Sequence, residues 1–235
     1  MYKILRANDR GKTIIDWLKS YHSFSFGEYY DPTRIHFGPL RVINDDTIQP
    51  DSGFPMHQHR DMEIVTVILE GIVTHSDSTG SHGTIKANEI QRMTAGSGIL
   101  HSEFNSSDKE ILKLLQIWIV PNKTGLKPSY EQVQYSHDKM KNKLLNVVSG
   151  KKKDGIISIN QDVDIFLSDL DKGKEVKHEQ KDNRGIYIHI IEGSVAIDGN
   201  ILVNGDAIEI TESNQVSLSA QEKSKLILFD VTLEF

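Results

Sequence analysis

Ile68-Leu69-Glu70-Gly71-Ile72-Val73 returns in the second half of the chain as Ile190-Ile191-Glu192-Gly193-Ser194-Val195. No other feature restricts the fold as much as this internal repeat. Each copy follows a β-rich run, Met62 to Val67 in one and Gly185 to His189 in the other, and each leads through a glycine turn into a further strand. Asn88-Glu89-Ile90-Gln91-Arg92-Met93-Thr94 likewise corresponds to Gly205-Asp206-Ala207-Ile208-Glu209-Ile210-Thr211. A repeat this long implies two copies of one β-domain, because solenoid units run to only about 20–50 residues. The junction falls between Lys139 and Gly150, giving units over residues 1–142 and 143–235.

Strand signals dominate within the copies. Val65 to Leu69 is a β-branched run, and its resumption at Ile72 to His75 reads as the second arm of a hairpin. Ser76 to Gly83 has loop composition, and Leu112 to Val120 is a strand stopped by Pro121. Helical periodicity is weak. Thr13 to Ser20 is expected to form a short helix, and Tyr130 to Met140 has no clear preference. Many short strands between turn residues predict an all-β architecture of two sandwich barrels in tandem.

His57-Gln58-His59 and His101-Ser102-Glu103 each place two metal-competent side chains at i and i+2, which share one side of a strand. Two neighbouring strands can therefore aim three imidazoles and a carboxylate at one point. The chain has no cysteine, so a metal must be held by nitrogen and oxygen. Such a set accepts zinc, copper, iron or nickel and leaves positions open for water, substrate or dioxygen. Glu63 shares parity with His57 and His59 and can face the same cavity. His22, His36, His75, His82, His137, His178 and His189 are assigned to surfaces, cores or hydrogen bonds.

The repeat supplies a control. Matching the Glu-Gly turns sets Glu179 opposite His57 and Lys181 opposite His59. Matching the later strands sets Leu218 opposite His101 and Ala220 opposite Glu103. The second copy lacks the donors, which favours a site over scaffolding.

A net charge of −6 offers no basic face for nucleic acid, and Lys151-Lys152-Lys153 reads as a solvated turn. Met1 to Arg10 lacks the apolar core of a signal peptide. No apolar run reaches the roughly 20 residues of a membrane span. A cytoplasmic protein without membrane or nucleic-acid partners is expected.

Gly53-Phe54-Pro55-Met56-His57-Gln58-His59-Arg60-Asp61-Met62-Glu63 resembles the first cupin motif, and Gly96-Ser97-Gly98-Ile99-Leu100-His101 the second. His101-Ser102-Glu103, Ser23-Phe24-Ser25-Phe26, Leu40-Arg41-Val42-Ile43-Asn44-Asp45-Asp46, His75-Ser76-Asp77-Ser78 and Gln116-Ile117-Trp118 together resemble the pirins. The resemblance implies a bicupin whose N-terminal barrel holds a metal through His57, His59, His101 and Glu103, with Glu63 not a ligand and the C-terminal cupin diverged. It implies iron(II) as the characteristic metal, with copper, nickel, zinc, manganese or cobalt as alternatives. The implied activity is opening of a flavonol such as quercetin by dioxygen, with Glu103 as the base that takes the substrate's enol proton. Phe54, Met56 and Phe104 are the expected apolar wall. Some pirins act instead as iron-dependent regulatory proteins without turnover. Gly96 stands where cupins often carry proline, which would loosen the turn before His101.

Overall fold

The computed structural model describes residues 1–235 and contains two β-sandwiches. In the first, a seven-stranded sheet runs in the order Ser129–Gln134, Glu89–Thr94, Glu63–Glu70, Leu112–Ile119, Leu40–Ile48, Leu18–His22, Gly11–Ile14. It faces a four-stranded sheet ordered Ser52–His59, Ile99–Asn105, Ile72–Asp77, His82–Lys86. The second sandwich repeats the plan. Its large sheet is centred on Arg184–Glu192 and Ser224–Thr232, and its small sheet is Glu175–Glu179, Gln215–Ala220, Ser194–Ile197 and Asn200–Val203. The molecule is an all-β bicupin. The N-terminal strand Tyr2–Leu5 pairs with Ala207–Ile210 and so completes the second sandwich's sheet. No helix is long and apolar enough to cross a membrane.

The largest apolar cluster lies between the two large sheets. It joins Leu40, Ile43, Val65 and Ile117 of the first sandwich to Ile165, Tyr187, Ile227 and Phe229 of the second. Each of these side chains contributes roughly 1.5–3 kcal/mol on burial, so the interface is itself a core and fixes one barrel against the other. The interiors differ. The second barrel is filled by one continuous aliphatic cluster that includes Ile188, Ile208, Leu218 and Leu228. In the first, apolar packing is split between a group around Ile48 and Leu112 at one end and a group around Ile64 and Met93 at the other. Polar side chains occupy the space between.

Two local expectations are corrected. Thr13 to Ser20 is not a helix: Gly11–Ile14 and Leu18–His22 form a hairpin, closed by reciprocal Ile15–Leu18 backbone bonds of 2.9 and 3.3 Å. The β-branched run Thr13-Ile14-Ile15 favours extended backbone, and Leu18, Ser20 and His22 alternate inward. Glu63–Glu70 and Ile72–Asp77 are successive strands but not a paired hairpin. Gly71, at φ +83, turns the chain from the large sheet into the small one. A Cβ there would meet the Ile111 carbonyl oxygen at 2.7 Å, which explains why both copies carry glycine at this corner. Tyr130 to Met140, for which the sequence set no preference, divides into nearly all of the strand Ser129–Gln134 and a single helical turn, His137–Met140.

Candidate metal centre

The strand Ser52–His59 is an edge of the small sheet and lies beside Ile99–Asn105. His101 pairs with His57, but Glu103 pairs with Phe54, so the edge strand carries an extra residue between these pairs. This bulge breaks the simple alternation, and Phe54 and His57 both reach the cavity although they are three positions apart. Pro55 sits within the bulge, on an edge strand where its missing N–H is tolerated. Its carbonyl accepts a 2.8 Å bond from His57 Nδ1, which leaves Nε2 with the free lone pair. On the neighbouring strand His101, Glu103 and Asn105 alternate inward.

The three imidazoles converge. Ring centroids are 4.7 Å apart for His57–His59, 4.4 Å for His57–His101 and 4.9 Å for His59–His101. The donor atoms of all three lie within 4.8 Å of one another. His57 Nε2 and His101 Nε2 are 3.0 Å apart. Two nitrogens bound at right angles to one ion, at about 2.1 Å each, would be about 3.0 Å apart, so the donor set fits a first-row divalent ion. Burial, reinforced by the neighbouring His57, lowers His59 to about 4, and burial also drives His101 well below the ordinary imidazole value. Both rings are therefore neutral at neutral pH, as ligation requires.

Glu103 adjoins this group through His101. Its donor atom lies within 4.8 Å of those of His101 and His75, and not of the whole imidazole trio. It is fully buried, and its oxygens are held from the strands of the large sheet. Gln91 Nε2 donates to Oε1 at 2.7 Å, Gln116 Nε2 donates to Oε2 at 2.6 Å, and the Thr66 hydroxyl lies 3.1 Å from Oε1. Burial raises the carboxyl's pKa, opposed by His75 and by the Thr66 and Gln116 hydrogen bonds. Behind His101 lies His75, 0% exposed, with its ring 5.4 Å from that of His101 and its Nε2 3.2 Å from Asp77 Oδ2.

A cavity of about 490 Å³ opens along the seam where the edge strands of the two sheets do not bond to each other. His57, His59 and Glu103 line it together with Phe54, Phe26 and Trp118. Trp118 stacks edge-on against His59 at 4.9 Å, and Phe26 against Trp118 at 5.4 Å. Of the expected wall, only Phe54 faces the cavity. Met56 and Phe104 are 53% and 36% exposed, because the bulge and the strand alternation turn them outward.

Glu63 does not share the cavity. Its carboxylate accepts bonds from Thr94 Oγ1 at 3.1 Å and from Asn160 Nδ2, on the second unit, at 3.0 Å. The turn at Asp61, φ +48, interrupts the strand, so the parity of His57 and His59 does not carry over to Glu63. Thr66 and Gln91 were not singled out in the sequence, and Gln116 and Trp118 stood there only as part of a resembling motif, not as site residues. A buried glutamine inside the apolar run Leu-Lys-Leu-Leu-Gln-Ile-Trp-Ile was the available signal.

Strand pairing also corrects the comparison between the copies. Val73 and Val195 follow equivalent turns and face Asn105 and Ala220; His75 and Ile197 face Glu103 and Leu218. Leu218 thus occupies the place of Glu103, and Val216 that of His101, two residues from the match made on sequence alone. Val216 pairs with His178 as His101 pairs with His57, so one imidazole does survive, bonded to Asp230 at 2.8 Å. Thr66, Gln91 and Gln116 face one another across adjacent strands, as Ile188, Ile208 and Leu228 do. The layer that cradles Glu103 is therefore wholly aliphatic in the second barrel.

Two cupin sandwiches, with converging imidazoles in one of them only, define a bicupin whose N-terminal barrel is built to hold a metal. Residues 4–119 match the Pirin family model, and residues 146–231 match that of the quercetinase C-terminal cupin domain. A protein of Escherichia coli named quercetin 2,3-dioxygenase is 41% identical over 231 residues, covering 98% of this chain and 99% of that protein. The crystal structure of the bacterial pirin YhhW from Escherichia coli in complex with nickel(II) is 39% identical, with a TM-score of 0.94 and 99% of both chains covered. A quercetin 2,3-dioxygenase structure from Acinetobacter baumannii shares the fold, with a TM-score of 0.77 at 23% identity, over 95% of this chain and 84% of that one. The chain belongs to the pirin family.

Proposed function

We propose that this protein is a metal-dependent dioxygenase that opens flavonols such as quercetin. The observation that carries the reading is the convergence of three imidazoles beside an aromatic-walled cavity that the buried Glu103 also lines. The names of the full-length relatives support the same chemistry. His57, His59, His101 and Glu103 would hold the metal, which we assign as iron(II). A bound divalent metal supplies Lewis acidity toward the substrate's enol oxygen and a redox partner for dioxygen.

The chain's own part is positioning, water exclusion and proton handling. Phe26, Phe54 and Trp118 offer flat apolar surfaces to an aromatic substrate and limit access of water. Glu103 takes the enol proton on a carboxylate oxygen. Gln91 and Gln116 fix that carboxylate from the large sheet, so it stays in place when its charge changes. We place the junction of the two units at residues 142–143, after the single helical turn.

The test is oxygen consumption by iron(II)-loaded protein across a flavonol panel, with carbon monoxide measured alongside. Consumption coupled to carbon monoxide release is expected, and metal-loaded protein that consumes no oxygen with any flavonol would refute the reading. Elemental analysis of protein purified from its own host tests the assignment of iron.

A further inference from the structure

The cavity continues beyond the imidazoles. Across the large sheet Gln116 pairs with Asn44, and Leu114 pairs with Asp46, which also pairs with Ser20. Trp118, beside His59, marks one end of this ladder, and the Leu114–Asp46 pair lies four residues along the strand, roughly 13 Å away. Asp46 lines the same cavity as His57 and His59, together with Ser20, His22 and Leu18.

Most polar groups at that end are engaged. His22 is held by Thr13 Oγ1 at 2.9 Å and by Asn44 Oδ1 at 2.8 Å. Gln116 is committed to Glu103. Asp46 differs: it is 2% exposed, no cation pairs with it, and its Oδ1 has no hydrogen-bond partner. Burial pushes its pKa up to about 7, opposed by the Ser20 hydroxyl. An unsatisfied carboxyl oxygen is costly in a protein interior, more so than an unsatisfied hydroxyl. In the second barrel Ser168, whose Oγ is also unpartnered, stands opposite Leu226 where Asp46 stands opposite Leu114, so the position itself does not call for a carboxyl.

We infer that Asp46 is a specificity-determining residue that accepts a hydrogen bond from a phenolic hydroxyl at the end of the substrate remote from the reacting enol. The identity of the ligand as a hydroxylated flavonoid rests on the function proposed above; the unpartnered Asp46 carboxyl on the cavity wall does not. Leu18 and Phe54 bound this end with apolar surface, so a phenol ring lies between them and presents its hydroxyl to the Asp46 carboxyl. Unsubstituted rings leave the oxygen unsatisfied and bind less tightly.

The test is direct binding, read by quenching of the two tryptophans, Trp17 and Trp118. The probes are unsubstituted flavone and a flavone hydroxylated on both outer rings; both lack the enol hydroxyl and cannot turn over. The parent is expected to bind the hydroxylated probe at least about tenfold more tightly. Asp46→Leu should bring the ratio to within about twofold while affinity for unsubstituted flavone is kept. Asp46→Asn, which keeps the shape and an acceptor, should give an intermediate ratio and provides a second variant should the leucine protein fail to fold. A parent without preference, or an Asp46→Leu protein that retains it, overturns the inference. Flavonol turnover is scored separately: preference without turnover sinks the dioxygenase reading and leaves Asp46 in its role, whereas turnover without preference does the reverse.

Discussion

If the polar layer around Glu103 serves a site, converting it to the aliphatic layer of the second barrel should leave the fold intact. The variant carries Thr66→Ile, Gln91→Ile, Glu103→Leu and Gln116→Leu, after Ile188, Ile208, Leu218 and Leu228. Its control is Glu103→Leu alone. In the control, the Gln116 amide loses its 2.6 Å acceptor, whereas Gln91 keeps the Thr66 oxygen at 2.9 Å. One orphaned buried amide costs about 1–3 kcal/mol and one weakened amide about 1 kcal/mol, so the single variant should lose roughly 2–4 kcal/mol. For a chain of this size that lowers Tm by about 4–16 °C. The fourfold variant buries no orphan. Exchanging a buried carboxylate together with its hydrogen-bond partners for apolar side chains is neutral or stabilising by about 1–4 kcal/mol, offset by about 1 kcal/mol for the bulk added at Thr66. Its Tm should therefore lie within a few degrees of the parent's or above it, with all proteins compared metal-free by calorimetry. A fourfold variant that unfolds, or falls as far as the single one, would refute the claim that this layer is dispensable to the fold.

His101→Ala should lose most metal affinity by elemental analysis and all flavonol turnover, while far-UV dichroism stays that of a folded β protein; loss of the fold would return His101 to a structural role. Gly96→Ala should destabilise by roughly 2–4 kcal/mol in urea titration, because Gly96 has φ +48 and an added Cβ would meet the Leu126 carbonyl oxygen at 1.9 Å. The turn before His101 is thus tightly packed, and the φ needed there excludes the proline that cupins often carry. Asp230→Asn tests a proton linkage in the second barrel: burial pushes the Asp230 carboxyl up, but His178 and Arg184 outweigh it and hold the pKa below the ordinary 3.8. A depressed carboxyl stabilises the fold above its unfolded pKa and loses that contribution as pH falls through the folded value. The parent should therefore exceed Asp230→Asn by about 2–4 kcal/mol at pH 7 in denaturant titrations, with the gap closing below about pH 4; a gap independent of pH would count against the linkage.

Sequence alone determined the duplication, the all-β class and three of the converging donors. Those signals are local: a repeated turn, β-branched runs, and side chains two apart on one strand. His57, His59 and His101 were legible because strand periodicity projects i and i+2 to one side whatever the surroundings. Register and facing were decided only by tertiary structure. The bulge opposite Ser102 brings Phe54 inward and turns Met56 out, the break at Asp61 directs Glu63 to Asn160, and the corner at Gly71 places consecutive strands in opposite sheets. The cradle of Glu103 draws Thr66, Gln91 and Gln116 from three strands far apart in sequence. No local pattern encodes such a meeting, because it depends on which strands the sheet sets side by side and on how the two sheets close over each other.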